Sequence, residues 1–157
     1  MNNSKVNYRE ATFKDAELVF TWANDRLVRL QSFYSTKIDL EHHLVWFKKK
    51  IDSTSDLFLI AEINKINTAL IRFEGVNHKT VVGILLDKNF RKKGLSSIIL
   101  QGAMEIYFSR YSKTVTAYIK ETNIASKKSF EKVGFKFVKK DKINSIPCLT
   151  YSMVKER

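Results

Sequence analysis

Residues 80–106 constrain this chain most. There a β-branched and aliphatic run, TVVGILL, stops at DKNFRKKG and gives way to LSSIILQGAMEI, whose apolar residues fall at helical spacing. A strand that passes through a short basic turn with one glycine into a helix sets three elements at once. It also sets a chemistry, because the first N–H groups of a helix lack internal partners and carry partial positive charge. Gly94 allows close backbone approach, and Arg91, Lys92 and Lys93 add cationic charge, so the turn suits a pyrophosphate. Local chemistry alone leaves an ordinary capped helix as the plainer alternative. Two familiar nucleotide patterns, GxxxxGK[ST] and GxGxxG after a strand, are absent, which disfavours a kinase or a dehydrogenase.

The flanking segments extend the pattern. Upstream, runs at 57–63, 68–74 and 80–86 are rich in β-formers and are separated by 64–67 and 75–79, which reads as an antiparallel meander. Before them, a strand at 6–10 precedes a helix at 13–24 with Ala16, Val19, Trp22 and Ala23 at helical intervals. Residues 25–37 read as irregular. Asp39 then caps a second helix whose Leu40, Leu44, Phe47 and Ile51 form a stripe. Downstream, the helix after the basic turn places Leu95, Ile98, Ile99, Ala103 and Ile106 on one face. A strand at 114–119, a helix at 123–133 and strands at 135–140 and 148–154 complete an order β α α β β β α β α β β. That order predicts a mixed α/β (α+β) domain.

A length of 157 residues, 44% hydrophobic and 12% aromatic, suits one domain spanning 1–157 with a substantial core. The N-terminus shows no charged segment followed by a long apolar run, and no window approaches a membrane span, so a cytoplasmic location is expected. Cys148, the sole cysteine, sits in the apolar stretch IPCLTYSM and reads as a core strand position. None of the three histidines has the spacing of a metal site, so no metal is expected. The net charge of +12 suits nucleic acid or a phosphate-rich small molecule, although most of the spread basic residues read as a solvated surface. The aromatic residues mostly follow core periodicity rather than that of an exposed platform, which argues against a nucleic-acid-binding module.

The segment RKKGLS resembles the acetyl-coenzyme A motif R/Q-x-x-G-x-G/A of the Gcn5-related N-acetyltransferases (GNAT), through Arg91, Gly94 and Ser96. Downstream, NIASKKSFEKVGF is similar to that family's N-x-x-A/S-x-x-x-Y/F-x-K-x-G-F, with Asn123, Ser126, Phe130, Lys132, Gly134 and Phe135 matching. The resemblance covers essentially the whole chain. It implies a central, mostly antiparallel sheet of about seven strands, splayed between the fourth and fifth, with about four flanking helices. It also implies acetyl-coenzyme A as cosubstrate. Its pantetheine would lie along Ile84, Leu85 and Leu86, with its phosphates over Arg91, Lys92, Lys93, Gly94, Leu95 and Ser96. Asn123, Ser126 and Phe130 would border the cofactor arm.

The segment WANDRLVRLQSFYSTKIDLEHHLVWF resembles the PseH-like group within the family, which acetylates nucleotide-activated amino sugars and shows W-x-N-x-x-x-V-R-x-x-S-F followed by H-x-x-W-F. That resemblance implies acceptor contacts from Arg29, His43 and Trp46, and from Arg72 in the strand ALIRFEG. A nucleotide-linked amino sugar is the acceptor expected; a protein N-terminus or lysine is the alternative within the fold. Neither nucleic acid nor a membrane is expected as a partner, and a homodimer is left open. Family members often use a Tyr acid where this chain has Phe130 and a Glu base where it has Tyr118. Tyr118 could supply the phenol from the other wall, and the base candidates are His43, Glu121 and Glu74.

Overall fold

The computed structural model describes residues 5–156; residues 1–4 and 157, the ends of the expected 1–157 domain, lie outside the described residues. Strand β1 (Val6–Glu10) leads through a 3-10 turn at Phe13–Asp15 into helices α1 (Ala16–Ala23), α2 (Arg26–Gln31) and α3 (Leu40–Asp52). Strands β2 (Asp56–Ile63), β3 (Ile66–Glu74) and β4 (Thr80–Leu86) form the expected meander. Then come α4 (Leu95–Arg110), β5 (Val115–Lys120), α5 (Ile124–Val133) and the hairpin β6 (Lys136–Ile143) and β7 (Ile146–Met153). The seven strands lie in the order β1-β2-β3-β4-β5-β7-β6. Every junction is antiparallel except the parallel one between β4 and β5.

Local sequence accounts for most boundaries. β2 and β3 are nearly continuous in apolar residues, rather than alternating, because both faces of the sheet are covered there. Leu59, Ile71 and Phe73 face α4 and α5 in one core. Phe58, Ile60 and Leu70 face α1 and α3 in the other. Asn64 and Lys65, and again Asn144 and Ser145, take positive φ at the tips of two hairpins, as a tight two-residue turn requires. Asp39 caps α3 as expected, accepting the His42 N–H at 3.2 Å. Trp22, Phe47 and Cys148 are buried, in agreement with their apolar settings.

Three sequence expectations are corrected. Residues 25–37 are not wholly irregular, because α2 forms within them, which brings the α-helices among the described residues to five. None of the α2 residues is buried, so RLVRLQ offers no core stripe from which a helix could be read. On α4 the buried stripe is Ile99, Leu100, Ala103, Met104 and Tyr107, while Ile98 is 54% exposed. Three apolar residues in a row, 98–100, fit two adjacent stripes equally well, and packing against the sheet and α5 together selects the second. On α3 Leu40 is exposed and His43 is buried, so the inner face is turned toward the histidine.

A partly buried ion pair joins β1 to the start of α1. Arg9 donates to both oxygens of Asp15 at 2.8 Å and to Glu62 Oε1 at 2.6 Å. Burial raises the Asp15 pKa, but the Arg9 guanidinium and the Thr12 N–H outweigh it and hold the carboxyl below the ordinary aspartate range. A depressed folded pKa contributes stability that is complete above the unfolded value of ~3.9 and is lost as pH falls through the folded one. The urea-midpoint difference between wild type and Asp15→Asn is therefore expected to be full near about pH 6 and to shrink below about pH 4. A difference that persists undiminished to low pH would show that the charge is not its source.

Candidate active site

β4 and β5 pair only through Thr80 with Val115 and Val81 with Thr116. Beyond those pairs the two strands separate. β4 remains bonded to β3 on its other edge, from Glu74–Val81 to Ala69–Leu86. Backbone groups of a strand point alternately to its two sides, so part of the N–H and C=O groups of residues 82–86 face the opening without a sheet partner. Ile84 and Leu86 pack on the α4 side, whereas Leu85 packs on the side of α1 and α3. The opening therefore connects the two faces of the sheet.

The basic turn lies at the mouth of that opening. Lys92 (φ 60°) and Gly94 (φ 71°) are both left-handed, on either side of Lys93, and α4 starts at Leu95. Alternation of this kind turns successive N–H groups toward one side, and the first turn of α4 adds its own free donors. The N–H groups of Lys92, Lys93 and Gly94 meet no acceptor among the described residues. A Cβ built on Gly94 would meet nothing within 4 Å, so the glycine is needed for its φ, and its surroundings are open to an incoming group. Ser96 is half-buried in that first turn. Arg91 is directed elsewhere: its guanidinium pairs with Asp25 and donates to the Leu86 carbonyl at 3.3 Å. Across the opening, the Asn123 carboxamide oxygen accepts the Ser126 N–H at 3.2 Å and caps α5. Phe130 is buried edge-to-face on Phe135, 5.0 Å between centroids, beneath this region.

On the opposite face of the sheet a pocket of about 290 Å³ opens between α1, α2, α3 and β3. Arg29, Ser32, His43, Trp46, Arg72 and Leu85 are among its walls. His43 is 4% exposed. Its Nε2 lies 2.8 Å from the Ala16 carbonyl and its ring stacks on Phe47 at 5.7 Å. A carbonyl only accepts, so Nε2 carries the proton and the neutral ring has its lone pair on Nδ1. Burial lowers the His43 pKa, and the Ala16 bond offsets only part of that, which keeps the ring neutral at neutral pH.

The two arginines of this pocket are bound differently. Arg29 donates from Nε to Ala23 O at 2.6 Å, from Nη1 to Tyr34 O at 2.8 Å and from Nη2 to Ser32 Oγ at 3.1 Å. Most of its donors thus organise the chain around α2. Burial, and then the like charge of Arg72, lower its pKa. Arg72 is less well satisfied. Nη1 lies 3.5 Å from Glu74 Oε1, and the buried Nε has no partner among the described residues. Opposite it in the β3–β4 register stands Gly83, where a Cβ would come within 2.7 Å of Arg72 Nη2. A glycine inside a strand signals close approach, and here it leaves room for a guanidinium to lie across β4.

Register carries that row onward. Gly83 lies level with Tyr118 across the gap, two residues beyond the Val81–Thr116 pair, and Tyr118 is opposite Thr150 on β7. Arg72, Gly83, Tyr118 and Thr150 therefore share one face and one level of the sheet. Arg72 Nε and Thr150 Oγ1, the buried side-chain polar atoms without a partner among the described residues, both belong to this row. Of the base candidates, His43 lies in the pocket. Glu121 is exposed, with Oε1 3.8 Å from Lys140 Nζ, and Glu74 is paired with Lys50 at 2.7 Å. Gly83 and Thr150 belong to none of the sequence motifs. The interior strand glycine was the available signal for the first; nothing in the sequence marks the second.

A family profile described as the acetyltransferase (GNAT) domain matches residues 5–136. An uncharacterized protein of Methanocaldococcus jannaschii is 29% identical over 151 residues, which cover 90% of this chain and 30% of that protein. The chain thus spans under a third of that curated relative's length. Spermidine N-acetyltransferase from Vibrio cholerae, solved with CoA and spermine, superposes with a TM-score of 0.85 at 15% identity, covering 97% of this chain and 96% of its own. AAC(6')-Ib in complex with ribostamycin and coenzyme A gives 0.84 at 14% identity, covering 96% and 94%. A domain from Methanocaldococcus jannaschii gives 0.83 at 22% identity, covering 98% and 100%. These structural likenesses establish a shared fold.

Proposed function

The chain belongs to the GNAT acetyltransferase domain family, and from that premise we propose that it moves an acetyl group from acetyl-coenzyme A to the amine of a nucleotide-linked amino sugar. The observation that carries the acceptor reading is the charge of the pocket. Arg29, Arg72, His42 and His43 line it, and no carboxylate among the described residues does. An acceptor with several ammonium groups, such as a polyamine, would meet two guanidinium groups there, of which only Arg72 has a carboxylate beside it, Glu74 at 3.5 Å, and this disfavours it. A sugar amine attached to a phosphate tail supplies the missing negative charge, and Arg72 Nε is the donor left without a partner to receive it.

Acetyl-coenzyme A supplies the thioester. The N–H groups at 92–94 and the start of α4 hold its pyrophosphate, and a backbone N–H from residues 84–86 stabilises the negative charge that develops on the carbonyl oxygen. Nδ1 of His43, neutral and uncommitted, takes the ammonium proton directly or through one water. As the amine nitrogen bonds to the acetyl carbon and the carbon–sulfur bond breaks, the Tyr118 phenol gives a proton to the departing sulfur, and the proton that the nitrogen sheds on becoming an amide restores the phenol. A thiol-release assay with acetyl-coenzyme A across UDP- and dTDP-linked amino sugars, spermidine and lysine peptides tests this. Turnover of at least one nucleotide amino sugar is expected, with spermidine near background. Turnover of spermidine or peptides alone sinks the acceptor reading.

A further inference from the structure

Residues 25–36 lie across the open end of the β4/β5 gap. Asp25, the N-cap residue of α2, pairs with Arg91 in the turn after β4. Five residues on, the Leu30 carbonyl accepts from Lys120 Nζ at 2.7 Å, and Lys120 is the last residue of β5. Beyond α2, the Phe33 carbonyl accepts from Asn144 Nδ2 at 2.9 Å, in the β6–β7 turn. The segment is thus tied to both strands that border the gap, at the end where they have parted. None of residues 26–36 is buried, so these polar ties, rather than a packed core, set its position.

We infer that this segment is a strap through which occupancy of the cofactor turn sets the geometry of the acceptor pocket, with Asp25 as its positioning residue. The inference rests on the reading that the N–H groups at 92–94 hold coenzyme A. Arg91 makes its bonds to Asp25 and to the Leu86 carbonyl, both away from those N–H groups. An anion that fixes the turn therefore fixes Arg91 without drawing it off Asp25. Asp25 in turn fixes the start of α2, and the Asp25 carbonyl accepts the Arg29 N–H at 2.9 Å. Arg29 lines the pocket and holds the Ala23 and Tyr34 carbonyls. Donor binding thus orders one wall of the acceptor site, and by linkage the acceptor strengthens donor binding by the same factor.

Hydrogen exchange of the full chain with and without coenzyme A tests this without knowledge of the acceptor. In wild type, coenzyme A is expected to slow exchange at 92–97 and also, about fivefold, at 26–36; partial exposure of the Asp25–Arg91 pair places the effect at the low end of ordinary coupling. Asp25→Asn keeps a good N-cap residue of the same size and removes the charge. It is expected to keep the slowing at 92–97 and to lose it at 26–36. A residue that served stability alone would change exchange equally with and without coenzyme A. Protection at 92–97 with none at 26–36 in wild type overturns the strap and leaves the cofactor reading standing, as does a fivefold slowing that survives in Asp25→Asn. No effect of coenzyme A anywhere overturns both.

Discussion

Arg72→Met is expected to lower kcat/KM for the acceptor by about 100-fold, the worth of a charge-assisted hydrogen bond in a half-enclosed site, while coenzyme A affinity changes less than about twofold. The loss belongs to the acceptor because Arg72 stands on β3, one strand removed from the gap, on the face away from α4. Methionine keeps the length of the side chain and removes a buried Nε that has no partner and a like charge that faces Arg29. The melting temperature is therefore expected to hold or rise, which separates a damaged site from a damaged fold. Gly83→Ala approaches the same point from the other strand: its methyl group would come within 2.7 Å of Arg72 Nη2 and push the guanidinium aside. Arg72→Met with kcat/KM within about threefold of wild type would remove Arg72 from the acceptor site.

Tyr107→Ala is expected to remove about 4 kcal/mol of stability, as truncation of a buried aromatic residue does. Tyr107 is fully buried, stacked on Phe73 with centroids 4.8 Å apart and in contact with Phe108 and Tyr111 at 5.2 Å each. Its hydroxyl lies 2.7 Å from Thr80 Oγ1 and donates to the Lys113 carbonyl at 3.1 Å. Thr80 opens β4 and pairs with Val115, the first residue of β5. Tyr107 thus pins the one place where the two strands meet, and the variant leaves the buried Thr80 hydroxyl without that partner. For a domain of this size the loss corresponds to a melting temperature lower by about 10 °C. Tyr107→Phe, which retains the ring, is expected to cost about 1 kcal/mol. An alanine variant within about 1 kcal/mol of wild type would show that the closed end of the gap does not depend on this residue.

Much of the architecture can be read from the chain because it follows local rules. The meander, the capped start of α3 and the passage from β4 through the basic turn to α4 each rest on period, turn residues and an N-cap within a few positions. Helix α2 escapes such reading. It presents no buried stripe, and what holds it are Arg91, Lys120 and Asn144, which lie 66, 90 and 111 residues from their partners. The inner face of α4 is ambiguous in the sequence because 98–100 are all apolar, and only contact with two neighbours at once chooses between Ile98 and Leu100. Arg29 shows the same limit at the site. A sequence pattern marks it as an acceptor residue, whereas three-dimensional packing commits most of its donors to Ala23, Ser32 and Tyr34.

The sequence by itself determined the strand, the basic glycine turn and the helix that follows, because each depends on residues near one another in the chain: apolar alternation, a glycine free to take positive φ, and helix N–H groups without partners. Only the tertiary structure decided what stands across from them. Register between strands far apart in sequence brings Arg72 beside Gly83 and Tyr118 beside Thr150, and the early parting of β4 from β5 opens the space between. Those placements come from packing on both faces of the sheet, which no local pattern encodes.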